Sequence, residues 1–109
     1  MTIVVKLFDS YKIKYLSDTY SGISKVFAAI SCYNANQIVG VLWFVDTYPI
    51  PYTNTLYDKD LIKIHYHTSH FNDIIGILRY EKPLKLEFDT DKEEGSVLTL
   101  TFEPVGELE

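Results

Sequence analysis

Ile38-Val39-Gly40-Val41-Leu42-Trp43-Phe44-Val45 is the longest apolar run in the chain. Successive side chains of a strand point to opposite faces, so a strand here presents apolar groups on both. Such a strand needs cover on both sides, unlike the half-solvated strands of an ordinary antiparallel sheet. The run is also far too short for a membrane span, which takes about 20 residues. Upstream, Ile23 to Tyr33 reads as a second strand, and Asn34-Ala35-Asn36 separates the two. Asparagine tolerates the left-handed backbone of tight turns, so a long β-hairpin is expected.

Working outward, period-two alternation dominates the rest of the chain. Ile3, Val5 and Leu7 alternate with Val4, Lys6 and Phe8, and Asp9-Ser10 offers a tight turn. Tyr11, Ile13 and Tyr15 then share a face against Lys12 and Lys14, and Asp18 to Gly22 carries turn chemistry. Beyond the hairpin, Thr47 to Lys59 (TYPIPYTNTLYDK) holds two prolines and no period, the pattern of a loop. Ile62, Ile64 and Tyr66 next alternate with Lys63, His65 and His67. A helix is expected over about 69–81: Ser69 suits the N-cap, and Asn72 and Asp73 suit the first turn. Phe71, Ile74, Ile75 and Leu78 make its apolar stripe. Arg79 and Lys82 suit its end, and Pro83 stops it. Gly76 costs this helix roughly 1 kcal/mol relative to alanine unless close packing requires it. Leu84, Leu86 and Phe88, a turn at Asp91 to Gly95, and Leu98, Leu100 and Phe102 complete a final hairpin.

The fold class expected is therefore α+β and mostly antiparallel β. About seven strands form a curled sheet, a sandwich or a barrel, with the one helix packed on it. A single helix cannot cover both faces of the central hairpin. Curling of the sheet and a second copy of the chain are both expected to contribute, making the protein a homo-oligomer.

At 109 residues and 12.6 kDa the chain fits one globular domain, expected over 1–107. Leu108 and Glu109 match the remnant that a common vector leaves before a C-terminal histidine tag, so they read as a cloning scar. A hydrophobic fraction of 47% with 23% charged residues excludes a disordered or fibrous chain. Net charge −5 and pI 5.1 argue against a nucleic-acid partner, which requires basic stripes. Nine basic and seven acidic residues lie in 1–86, whereas 87–109 holds one basic and eight acidic, the pattern of a solvated acidic end or of a docking surface for a basic partner. The opening residues lack the basic and apolar regions of a secretory leader. One cysteine, Cys32, excludes an internal disulfide and fits a reducing compartment, so cytoplasmic location without membrane attachment is expected.

Three clusters could carry chemistry. His65, His67 and His70 fall within the six residues HYHTSH. His65 and His67 share one strand face, and His70 could supply a third ligand, as in zinc hydrolases with an open water position. Lys63 on the same face opposes a bound cation, and the plainer reading is a polar strand face. Arg79 is the sole arginine, and its planar fork suits an anion, although a helix end beside Glu81 also accounts for it. The third cluster is aromatic. Tyr48, Tyr52 and Tyr57 lie in the proline-bearing loop, with Trp43 beneath, and tyrosine offers contact area at little entropic cost. Thirteen residues without period in a small domain favour a binding loop. Cys32 reads as a small core residue, and Asp58 with Asp60 and Glu93 with Glu94 read as solvated loop carboxylates. No G-x-S-x-G, G-x-G-x-x-G or P-loop pattern occurs.

The leading expectation is thus a non-catalytic binding or interaction protein without a cofactor. It would bind a protein partner or sequester a small ligand, in the manner of inhibitors, immunity factors and ligand sponges. The alternative is a small metal-dependent hydrolase built on His65, His67 and His70.

Overall fold

The computed structural model of the chain describes residues 2–15, 26–46, 53–57, 61–81 and 83–99. These residues form β1 (Ile3–Phe8), β2 (Ser10–Tyr15), β3 (Val26–Asn34), β4 (Gln37–Val45), β5 (Thr55–Tyr57), β6 (Leu61–His67), α1 (Phe71–Tyr80), β7 (Leu84–Asp89) and β8 (Glu94–Thr99). The fold is α+β, with, among the described residues, one α-helix and two sheets of order β2-β3-β4-β6-β5 and β1-β7-β8. Every pairing is antiparallel except β4 with β6. Among the described residues the sheets do not close into a barrel.

The β3–β4 hairpin lies where its pattern places it. Ala35 and Asn36 form the turn with φ of 51° and 68°, the signs that match strand twist in a two-residue hairpin. Alanine is an unusual occupant of that backbone region. Its N–H donates to the Asp9 carboxylate at 3.3 Å, a contact that helps hold it there. Asp9 also marks where the chain changes sheets. Its own N–H donates to the Tyr33 carbonyl at 2.9 Å, so β1 ends in one sheet and β2 begins in the other. The Asp9-Ser10 turn therefore joins two sheets, and β1 finds its partner in β7, with Ile3 opposite Asp89.

Alternation sorts each strand into two faces. Ala28, Ile30, Cys32, Leu42, Phe44, Ile62 and Ile64 of the larger sheet face Phe8, Leu84, Leu86 and Phe88 of the smaller one. Ile74, Ile75 and Leu78 of α1 complete this single core. Two glycines let the sheets meet. A Cβ at Gly40 would collide with the Leu86 Cδ1, and one at Gly95 would lie 2.7 Å from the Ile64 Cδ1. On the opposite face of the larger sheet, Ala29, Val41 and Val45 are buried too, apart from that core. Both faces of the run are thus buried from Gly40 onward, apart from the half-buried Trp43, whereas Ile38 at its start is exposed.

Four expectations change. There are eight strands among the described residues, because Thr55–Tyr57 pairs with β6 inside the stretch read as loop. Asn54 seats it: its side chain accepts from the His65 N–H at 2.7 Å and donates to the Glu93 carbonyl at 3.0 Å. The last turn spans Thr90 to Glu93, and Gly95 lies within β8 opposite Phe88, where its bare Cα admits Ile64. The helix is Phe71–Tyr80, preceded by a 3-10 turn at Thr68–His70. Ser69 is not its N-cap. His67 caps the 3-10 turn, its Nδ1 accepting the Ser69 N–H at 3.2 Å.

Candidate functional site

The helix is anchored at its start by aromatic rings. The register of β3 against β4 slips between Val26 and Ala28, and such a bulge re-aims the side chain it carries. The Phe27 ring there meets Tyr15 at 4.6 Å and Phe71 at 5.5 Å in edge-to-face geometry. Phe71 also meets Phe44 at 5.1 Å. Edge-to-face ring pairs stabilise beyond the area they bury by roughly 0.5–1.5 kcal/mol. With its first residue fixed this way, α1 lays Ile74, Ile75 and Leu78 over the core and carries Arg79 to its far end.

That far end opens on a cleft of about 780 Å³. Phe8, Asp9, Ser10 and Tyr11, where the chain passes between sheets, form one wall. Leu78, Arg79 and Glu81 at the helix terminus, with Pro83 and Leu84 leading into β7, form the other. Phe8, Leu78 and Leu84 are buried and make an apolar floor. Arg79 is exposed, and it is the only cation among the described lining residues. Of the two carboxylates beside it, Asp9 is already engaged by the Ser10 hydroxyl at 3.1 Å and by the Ala35 N–H. Ligand sites combine such an apolar floor with a few polar groups that set orientation.

Among the described residues, those singled out from sequence divide between the cleft and the other face of the larger sheet. Arg79 lines the cleft. Trp43 is half-buried on the other face of the larger sheet, in the row that runs from Ala29 on β3 to His65 on β6. Tyr57 pairs through its backbone with Leu61. Tyr48 and Tyr52 lie outside the described residues. His65 and His67 project to the same face as Trp43, on β6 opposite Trp43 and Val45. The His67 ring contacts the Ser69 hydroxyl at 2.9 Å, whereas His70 lies edge-on to Tyr66, 6.3 Å between centroids. Burial, and secondarily the Lys63 charge, hold His65 below the ordinary imidazole range, against a hydrogen bond with the Thr53 backbone. Among the described residues no group of three or more His, Cys, Asp or Glu side chains is arranged to hold a metal ion.

Cys32 is fully buried, and burial pushes its thiol up to about 12, the mark of an inert core cysteine. Sequence reasoning missed Phe8, Tyr11, Leu78 and Leu84 as a site, because each reads as core or strand face on its own. Their only advance signal was Pro83, which ends the helix beside Arg79. Comparison with protein-family models, with curated proteins and with solved structures finds no match to this chain.

Proposed function

We propose that the protein is a non-catalytic binding protein and that the cleft between Tyr11 and Arg79 receives its ligand. The carrying observation is an apolar floor with Arg79 as the single described cation, at a rim that also carries the carboxylates of Asp9 and Glu81. That chemistry suits a compact, largely apolar molecule bearing one anionic group, the apolar part on Phe8, Leu78 and Leu84 and the anion on Arg79. An Arg–anion bond in a partly enclosed site contributes more than the same pair in open water. A cytosolic setting accords with the single buried thiol, Cys32.

Amide spectra recorded with a panel of aliphatic and aromatic carboxylates, each paired with its neutral amide, test the reading. The carboxylates are expected to shift Tyr11, Leu78 to Glu81 and Leu84, and their amides to bind at least about tenfold more weakly. Arg79→Gln should erase that preference while leaving the thermal midpoint unchanged. Equal binding of acid and amide, or shifts confined to other residues, would refute the assignment.

A further inference from the structure

The cleft between Tyr11 and Arg79 carries more charge than a single anion uses. Its described lining holds Arg79 together with Asp9 and Glu81, two carboxylates to one guanidinium. Among the described residues Arg79 forms no ion pair with either of them. The fold sets each position. Arg79 lies in the last turn of α1, and Glu81 is the C-cap, where the chain becomes extended and the Glu81 N–H donates to the Ile77 carbonyl at 3.0 Å. Asp9 stands where the chain passes between sheets. One of its carboxylate oxygens takes the Ser10 hydroxyl at 3.1 Å, and the other takes the Ala35 N–H at 3.3 Å. A carboxylate offers about four acceptor positions, so these two bonds orient Asp9 and leave it able to accept from a ligand.

The balance of charge decides what such a cleft favours. A ligand whose one charge is an anion gains from Arg79 and is opposed by Asp9 and Glu81, and a partly enclosed site screens that opposition less than open water does. An ammonium group on the same ligand turns both opposing charges into partners. It also brings three N–H donors, which suit carboxylates that can only accept. Phe8, Leu78 and Leu84 remain as the floor for the apolar part of the molecule. We infer that the ligand is an apolar zwitterion, a free amino acid or a short peptide with both ends unblocked, its carboxylate on Arg79 and its ammonium on the Asp9 and Glu81 carboxylates. The cleft, at about 780 Å³, lies in the range of small-molecule sites and takes either. This inference rests on the cleft being the binding site and adds the chemical class of what it binds.

Calorimetric titration of the full chain with matched probes tests it. The probes are leucine and leucyl-leucine, each beside its N-acetyl form, and isocaproate, which is leucine without the amine. The better of the two zwitterions is expected to bind at least about threefold more tightly than its N-acetyl form and than isocaproate. Which of them binds better tells a free amino acid from a peptide. Glu81→Gln should shrink that advantage and at the same time tighten isocaproate, because it removes a partner of the ammonium and an opponent of the carboxylate. A change that only loosened the helix end would weaken every probe alike. Isocaproate and the N-acetyl forms binding as tightly as the zwitterions would overturn this inference and leave the cleft reading standing. A Glu81→Gln variant that shifts all probes in one direction would overturn it too. Failure of the whole panel to bind, isocaproate included, would overturn both.

Discussion

Replacing Gly40 with alanine tests how the two sheets meet. The added methyl would point between them, into the Leu86 Cδ1, and would sit 3.1 Å from the Ile62 carbonyl oxygen. Leu86 is fully buried, so its side chain can yield only by displacing neighbours in a packed core. Overfilling of this kind costs about 1–3 kcal/mol. Lost freedom of the unfolded chain offsets roughly 0.4–1 kcal/mol of that. The net loss is then between about 0 and 2.6 kcal/mol, centred near 1.3, and at about 4–8 °C per kcal/mol the central value lowers the midpoint by roughly 5–10 °C. Thermal melts read the shift, and urea titration with an unchanged slope shows that the native state, not the unfolded one, has changed. Gly40→Ala combined with Leu86→Val should cost less than the two changes summed, by at least about 0.5 kcal/mol. A stabilising Gly40→Ala, or strictly additive costs in the double variant, would refute the close approach.

Three further outcomes follow from other positions. Gly76→Ala should stabilise the protein by about 0.5–1 kcal/mol in a urea titration, since an added Cβ there meets nothing within 4 Å among the described residues and helix propensity alone decides. Asn54→Ala should cost about 1–3 kcal/mol and speed exchange of the His65 amide, because it removes the acceptor of that amide and the donor to Glu93. Cys32 has its folded pKa raised to about 12 against an ordinary 9.0, so its contribution is complete below pH 9.0. Above that the unfolded chain releases a proton that the native one keeps, and stability falls as pH rises toward 12. Cys32→Ala should flatten that alkaline decline in stability measured by denaturant titration at each pH.

What the sequence disclosed was local. The two-sided apolar run, the turn at Ala35-Asn36 and the stripe Ile74, Ile75 and Leu78 all follow from spacing within a few residues. Pairing partners did not. The alternation of Ile3, Val5 and Leu7 with Val4, Lys6 and Phe8 does not say which face turns inward, since the structure buries Phe8 and exposes the more uniformly apolar row. It is equally compatible with pairing to β2 or to β7. β5 has only three residues, too few for a period, and depends on Asn54 reaching two other elements. Ser69 looked like a cap because its type is right, yet the His67 ring holds its amide instead. Gly95 reads from sequence as a turn residue, and only the position of Ile64 gives it a packing role. At the site, Arg79 stood out as the sole arginine. The cleft around it was invisible because Phe8 to Tyr11 and Pro83 to Leu84 come together only through the β1–β7 pairing. Tyr48 and Tyr52 fall outside the described residues.

The pairing of Ile3 with Asp89 also orders the events of folding. The β3–β4 hairpin closes across a two-residue turn, a step that takes about 1–10 μs in isolated hairpins. β1 must wait, since its partner lies near the far end of the described chain and non-local pairings form late and slowly. Strand β1, at the start of the described residues, is then expected to be seated last, with φ-values near zero for Val4 and Phe8 in chevron kinetics as the check. Interactions absent from the transition state govern the unfolding rate and leave the folding rate nearly untouched. Changes to Val4 or Phe8, which pack on the core from β1, therefore shorten the lifetime of the native state without slowing its formation.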